Sequence, residues 1–473
     1  MNPYLVDLWN NASFVAIIVT TLVVIVVEST RAGRPALSFM LTIIGLAVTA
    51  LFAAMKIGDA GASFSGMIRF GTFTSFFEIL FCVSALIATL LAQQHLQKLG
   101  WNRGEYFILV LFATTGMMLM GAANDLIILF LGLELMSLCL YVLTGFIRIN
   151  AKSNEAALKY FLLGAFSTGF LLYGIALIYG LTGSTNLTMV ARSFPLVSEN
   201  PIFLAGCGLV LIGLLFKVAA VPFHMWAPDV YEGAPTTVTA FMSTSAKSAA
   251  FASLVILFVQ TFRFEAMPMN NAIAIVAAAS MILGNVVAIA QTNIKRMLAY
   301  SSIAHAGYML AGIAAGNAEA QSGVMFYLAA YCLMNLGAFG IVSLLESAEE
   351  KNLTLEDYAG LSKQRPLLAA GMALFMFSLA GIPPMAGFFG KYYVFLAAIK
   401  ANLTWLAVIG VLTSLVSAYY YLRVVVMMYF RDGQADAHVP RPATLIALSI
   451  SALFVLFFGL FPSVLLSLTT TIF

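Results

Sequence analysis

Apolar runs of about twenty residues follow one another along nearly the whole 473-residue chain, and that is the length an α-helix needs to cross the hydrocarbon core of a bilayer. They lie near 11–28, 37–55, 73–93, 105–121, 125–147, 157–182, 202–221, 236–262, 271–290, 297–315, 321–346, 366–399, 404–429 and 442–470. The length rule predicts an all-α polytopic membrane protein of about 14 transmembrane helices. Composition excludes a soluble domain: 62% of the residues are hydrophobic and 9% charged, against about 45–50% and about 25% in soluble proteins. Asp7 is the only charge before the first run and no small-residue cleavage site follows it, so that run reads as a retained span rather than a signal peptide.

Loop lysines and arginines orient the chain. One set of alternate loops holds Arg31, Arg34, Lys98, Arg103, Arg148, Lys152, Lys159, Lys295, Arg296, Lys351, Lys363, Arg365, Arg423, Arg431 and Arg441. The other holds Lys56, Arg69, Arg192, Arg263 and Lys400. The bias places the first set at the cytoplasm and both termini on the opposite, periplasmic side. Lys217, Lys247 and Lys391 belong to neither set, because they fall inside predicted spans, as does Glu134. An intramembrane charge costs about 2.5–3.5 kcal/mol on insertion scales. A single Lys–Glu pair reads equally as a packing device. Four such charges on spans five, seven, eight and twelve point to an ion pathway or proton relay.

Two of these lysines stand beside a broken backbone. Lys217 precedes Pro222 in IGLLFKVAAVPFHMWAPDVYEGAP, and Lys391 follows Pro383–Pro384 in SLAGIPPMAGFFGKYY. Proline removes an amide donor, and irregular backbone persists at membrane depth only where protein or water satisfies the freed groups. A packing kink explains either break alone; two, each near a lysine, favour hydrated cavities. AAVP (219–222) resembles AGIP (380–383) five spans later. An odd offset reverses membrane direction, so spans 4–8 and 9–13 are expected to form two inverted five-helix repeats with helices 7 and 12 broken. The corresponding division is 1–104 for a three-helix segment, 105–262 and 263–430 for the repeats, and 431–473 for a C-terminal helix.

His305, with Ser301 and Ser302 nearby on the tenth span, is read as a relay or as a packing histidine. His224, Asp229 and Glu232 follow the first break, where a cytoplasmic funnel mouth or a polar surface loop are both compatible. Glu78 and Asp125 are ambiguous, while snorkelling accounts for Lys159, Glu155 and Arg423. The single cysteines Cys82, Cys139, Cys207 and Cys332 read as small core residues rather than metal ligands or disulfides. No Walker A loop, GxGxxG unit, HExxH or nucleophile elbow is present. No basic block suits nucleic acid, and the net charge is +3.

At LFLGLELMSLCLYVL (130–144), NEAALKYFLLGAFSTGFLLYGIALIYG (154–180), LLFKVAAVPFHMWAPDVYEGAPT (214–236), AYSSIAHAGY (299–308) and LAGIPPMAGFFGKYY (379–393), the sequence resembles the antiporter-like subunits of bacterial respiratory complex I. The resemblance covers nearly the whole chain. It implies the fourteen-helix fold with inverted repeats, an ion pair between Glu134 and Lys217, a central Lys247, a linking His305, and Lys391 near the outer half-channel. It also implies proton translocation coupled to NADH oxidation and quinone reduction. FMN, iron–sulfur clusters and quinone are expected in other subunits, with no cofactor or metal in this chain. The expected partners are an antiporter-like subunit M, small subunits J and K, and membrane lipids, in the bacterial inner membrane. Two rival readings remain: an Mrp-type cation/proton antiporter subunit and a non-conducting scaffold of the membrane arm.

Overall fold

The computed structural model describes residues 3–30, 35–262, 269–346 and 353–470. Arg31, Arg34, Arg263 and Lys351 of the loop sets lie outside them. Helices α1 (Pro3–Asn10), α2 (Ala12–Thr30) and α3 (Pro35–Ala54) lead to an antiparallel hairpin of β1 (Ala60–Ser63) and β2 (Ile68–Gly71), in which Ala60 pairs with Gly71. Then come α4 (Thr72–Lys98), α5 (Gly104–Ala122), α6 (Leu126–Thr144), α7 (Ala151–Thr182), α8 (Leu187–Val197), α9 (Pro201–Lys217) and α10 (Trp226–Gly233). The longer helices that follow are α11 (Thr236–Thr261), α12 (Met269–Ile289), α13 (Ile294–Ala315), α14 (Ala318–Leu345), α15 (Pro366–Ala380), α16 (Ala386–Lys400), α17 (Thr404–Phe430), α18 (Pro442–Leu460) and α19 (Pro462–Thr470), with short turns of helix at Leu355–Tyr358 and Leu361–Gln364 between α14 and α15.

Among the described residues, eleven helices are long and apolar enough to cross a membrane. Helices α9 and α15 are shorter apolar segments, because each stops at a break. Helix α13 is long enough but carries Ser301, Ser302 and His305, which it can bury only inside the bundle. The run expected as one span at 442–470 is two helices, separated at Phe461 and followed by Pro462, whose missing amide cannot continue the α18 ladder. Within α11, residues 242–246 and 255–261 are π-helical, and Lys247 follows the first wide turn directly. Such turns re-aim side chains and often mark functional sites.

Burial separates the centre from the lipid-facing rim. The apolar window of α14 is buried along its full length and that of α11 over 94%, whereas α2 is 28% buried. Leu131 on α6, Phe166 on α7 and Leu415 on α17 are exposed, as hydrocarbon contact requires. Helix α5 packs on α6 and α7 on α9; likewise α12 packs on α13 and α14 on α16. All four cysteines are buried with free thiols.

Backbone contacts recur at two places. Ahead of α6, Leu126 N–H donates to Thr185 (2.9 Å) and Leu187 N–H to Asn124 (2.8 Å). Ahead of α13, Ile294 N–H donates to Leu353 and Leu355 N–H to Thr292, both at 2.9 Å. Asp125 and Asn293 cap the two helices through their side chains. The capping role resolves Asp125 as structural.

Candidate functional site

Helices α9 and α15 end in the same way. At the first break Ala219 takes a left-handed φ of 57°, with Ala219 N–H bonded to Phe216 and Ala220 N–H to Leu215. At the second, Gly381 has φ 86°, with Gly381 N–H bonded to Ser378 and Ile382 N–H to Phe377. These are Schellman closures, which satisfy carbonyls that the helix can no longer pair. The remaining carbonyls find side chains. Trp226 Nε1–H donates to Phe216 (3.0 Å) at the first break. At the second, the Lys391 ammonium donates to Leu379 (3.0 Å) and Ala380 (2.9 Å), and to the Ser414 hydroxyl (2.8 Å). A cation therefore sits on the negative end of α15.

Lys217, the last residue of α9, reaches back to α6 and donates to the Ser137 hydroxyl (2.8 Å) and the Tyr141 hydroxyl (3.1 Å). Glu134 lies on the same face of α6, one turn before Ser137. Its carboxylate accepts instead from the Thr168 hydroxyl of α7 at 2.8 Å. The ion pair expected between Glu134 and Lys217 is thus not a direct contact. The α6 hydroxyls claim the ammonium and α7 claims the carboxylate, leaving the two charges neighbours without an N–O distance within 4 Å.

The central group is more closely joined. Lys247 donates to the Ser302 carbonyl (2.7 Å) and the Ser302 hydroxyl, and lies over the Tyr331 ring. The adjacent Ser301 hydroxyl pairs with that of Tyr421. Tyr421 in turn stands 3.1 Å from His305 Nε2, while His305 Nδ1 is 2.7 Å from the Tyr327 hydroxyl. The Tyr308 ring packs edge-on against His305 and faces the Lys391 ammonium, 5.0 Å from its centroid. Sequence reading named the lysines and His305 but missed Tyr327, Tyr331, Asn335, Tyr421 and Ser414. A signal existed: Tyr327, Tyr331 and Asn335 repeat at four-residue spacing on α14, and Ser414 and Tyr421 share a face of α17.

No comparable hydrogen-bond chain links Lys217 to Lys247 among the described residues. The Phe216, Trp226 and Tyr231 rings occupy the space after the first break, Phe216 stacking on Trp226 at 5.4 Å. Asp229 and Glu232 gather instead on Arg296, at 2.7 and 3.0 Å, and Lys159 bridges Asp229 and Glu155. These groups line a polar cavity of about 170 Å³. Burial pushes the Asp229 carboxyl up, but Lys159 and Arg296 against it outweigh that and hold it below its ordinary value. His224 stands outside this group, half-buried, with no hydrogen-bond partner at Nδ1. Glu78 is buried on α4. Arg423 donates to the carbonyls of Ile289 and Gln291 at the end of α12, a capping role alongside the expected snorkelling.

Two broken helices, each with a buried lysine at its break, around a polar column inside an otherwise apolar bundle define an antiporter-like membrane subunit. The chain belongs to the NADH:quinone oxidoreductase/Mrp antiporter transmembrane family, which it matches over residues 123–417. It is similar to NADH-quinone oxidoreductase subunit N of Trichlorobacter lovleyi, 50% identical over 431 residues that cover 90% of this chain and 88% of that one. Subunit N 1 of Chloroherpeton thalassium is 46% identical over 455 residues, 95% of each chain. A chain of respiratory complex I from Thermus thermophilus, solved with bound aureothin, superposes with a TM-score of 0.85 at 36% identity, covering 97% of this chain and 99% of that one. A chain of the Mrp complex from a Dietzia species, at 22% identity and TM-score 0.87 over 98% of this chain and 96% of that one, shares the fold. The relatives named as subunit N belong to an enzyme complex, a translocating NADH–quinone oxidoreductase.

Proposed function

We propose that this chain is a proton-translocating subunit in the membrane arm of NADH:quinone oxidoreductase, and that Glu134, Lys217, Lys247, His305 and Lys391 carry the protons. The observation that carries the reading is the polar column from Lys247 through Ser302, Ser301, Tyr421 and His305 to Tyr327, buried where insertion favours apolar residues. Its hydroxyls and imidazole both donate and accept, as proton transfer requires. Protons would reach Lys217 and Lys247 from the cytoplasm, those for Lys217 past the Asp229–Glu232 cavity, then pass through His305 to Lys391 and the opposite side. The repeated backbone pattern ahead of α6 and α13, and the matching closures of α9 and α15, support two inverted repeats at 105–262 and 263–430.

Glu134 and Lys217 would couple this movement to the rest of the complex. Two unit charges at about 4 Å and an effective dielectric near 20 interact by about 4 kcal/mol. A shift that brings the carboxylate onto the ammonium, or parts them, therefore changes the affinity of Lys217 for its proton by orders of magnitude. NADH oxidation by flavin and iron–sulfur clusters, and quinone reduction, belong to other subunits. The neighbours would be subunits M, J and K, in the bacterial inner membrane with both termini periplasmic. Replacement of Lys247 and Lys391 by Met in the assembled complex tests the reading: NADH-driven proton pumping should collapse, and normal pumping would leave the chain a scaffold. Sodium-driven proton flux by the chain alone in vesicles would favour an Mrp-type exchanger instead.

A further inference from the structure

A second set of buried charges lies apart from this column. His95 on α4, Lys295 in the first turn of α13 and Glu346 at the end of α14 are 2%, 0% and 2% exposed. His95 Nε2 is 2.7 Å from one oxygen of Glu346 and Lys295 Nζ 3.4 Å from the other. Lys98, one turn beyond His95, donates to the Glu346 carbonyl. The other ring nitrogen, His95 Nδ1, faces the Thr237 hydroxyl at 3.3 Å. Thr237 opens α11, whose Lys247 lies ten residues further, about 15 Å along a helix.

The space between is a polar seam. On α14, Asn335 lies three turns before Glu346 on the same face. Its amide donates to Ser243 of α11 (2.8 Å) and to the Tyr331 hydroxyl (3.1 Å), over whose ring Lys247 sits. One fully buried oxygen along the seam, Asn335 Oδ1, has no hydrogen-bond partner. Buried oxygens of this kind are places for bridging water. Among the described residues, Tyr106 of α5 and Tyr358, and Asp436 and His438 beside Lys98, are further titratable groups around the cluster.

We propose that His95, oriented by Glu346, takes up protons from the lysine- and arginine-rich face and delivers them to Lys247 along the seam between α11 and α14. This rests on the proton-translocating reading above and assigns its uptake route. The Glu346 carboxylate holds the His95 Nε2–H, and a proton taken up makes the ring imidazolium. Its Nδ1 proton then passes to the Thr237 hydroxyl as that hydroxyl releases its own proton into the seam, and the ring returns to its neutral form with one proton moved. Lys295 holds the Glu346 charge in place and is a positioning residue.

His95→Gln in the assembled complex, in inverted membrane vesicles, tests the route. Glutamine can still bridge Glu346 and Thr237 but cannot carry a proton. NADH-driven proton uptake and quinone reduction should both fall at least fivefold, while NADH oxidation by an artificial acceptor, which reads complex content, is unchanged. The solvent deuterium isotope effect on turnover should at least double, which a purely structural role would not cause. Wild-type rates and isotope effect would overturn the route. Should His95→Gln fail to assemble, Asn335→Leu, which leaves the cluster intact, should show the same loss, and normal pumping there would overturn it. Lys247→Met separates the two levels. If it abolishes pumping while His95→Gln and Asn335→Leu do not, the uptake route alone fails; if it pumps normally, the translocating reading fails.

Discussion

Gly381 and Lys391 close on each other across the second break: a Cβ on Gly381 would stand 3.0 Å from Cδ of Lys391 and 3.2 Å from its ammonium nitrogen. Gly381 also holds a φ of 86°, so it serves the helix closure and the lysine at once. The ammonium lies on the α15 carbonyls because no side chain separates them.

Gly381→Ala is expected to destabilise the subunit by about 1–2 kcal/mol through the left-handed backbone alone and to push Lys391 off the carbonyls of Leu379 and Ala380. Thermal unfolding in detergent reads the first effect and proton pumping the second. Ala219→Gly, at the equivalent closure, relieves strain and should stabilise. An unchanged Gly381→Ala variant would remove Gly381 from the site.

Tyr141→Phe takes one of two acceptors from the Lys217 ammonium. Hydrogen bonds to charged groups contribute about 1.5–3 kcal/mol, so stability should fall by that order. Turnover should fall with it, because Lys217 loses its anchor on α6. Thr168→Val should free the Glu134 carboxylate from α7 and alter coupling. Equal proton-to-electron ratios in wild type and Thr168→Val would show that this hydroxyl has no part in coupling.

The buried cluster gives a pH prediction. Burial pushes the Glu346 carboxyl up, but Lys295 and His95 beside it outweigh that and hold it well below the usual range. A depressed carboxylate stabilises the fold fully above its unfolded value, about 4.3, and loses that contribution as pH falls through the folded value. The Glu346 contribution should therefore be constant from pH 8 to 5 and decline only in stronger acid. Glu346→Gln strands Lys295 and should cost about 3–5 kcal/mol. Adding Lys295→Met should restore much of it; no restoration would show that Lys295 is not the group stranded.

At the polar cavity, Asp229→Asn loosens both Lys159 and Arg296. The groups are partly solvated, so the loss should stay within about 1 kcal/mol and shrink with added salt. A melting difference from wild type that does not change between low and high salt would contradict this account.

The sequence by itself determined the membrane class, most helix boundaries to within a few residues though not the split at Phe461, both breaks and the three buried lysines. Apolar length and the cost of charge in lipid are properties of the chain's own order, and proline at Pro222 and Pro384 limits the backbone wherever the helices pack. Tertiary structure decided which groups meet. The family resemblance implied a Glu134–Lys217 pair, yet side-chain direction gave each a hydroxyl partner from another helix. His95, Lys295 and Glu346 are separated by up to 251 residues, and nothing local marks a histidine near a helix end as buried against a distant carboxylate. Lys295 even counted among the loop cations. Such contacts arise only when α4, α11, α13 and α14 pack together, because the energy of a buried charge depends on what surrounds it rather than on its neighbours along the chain.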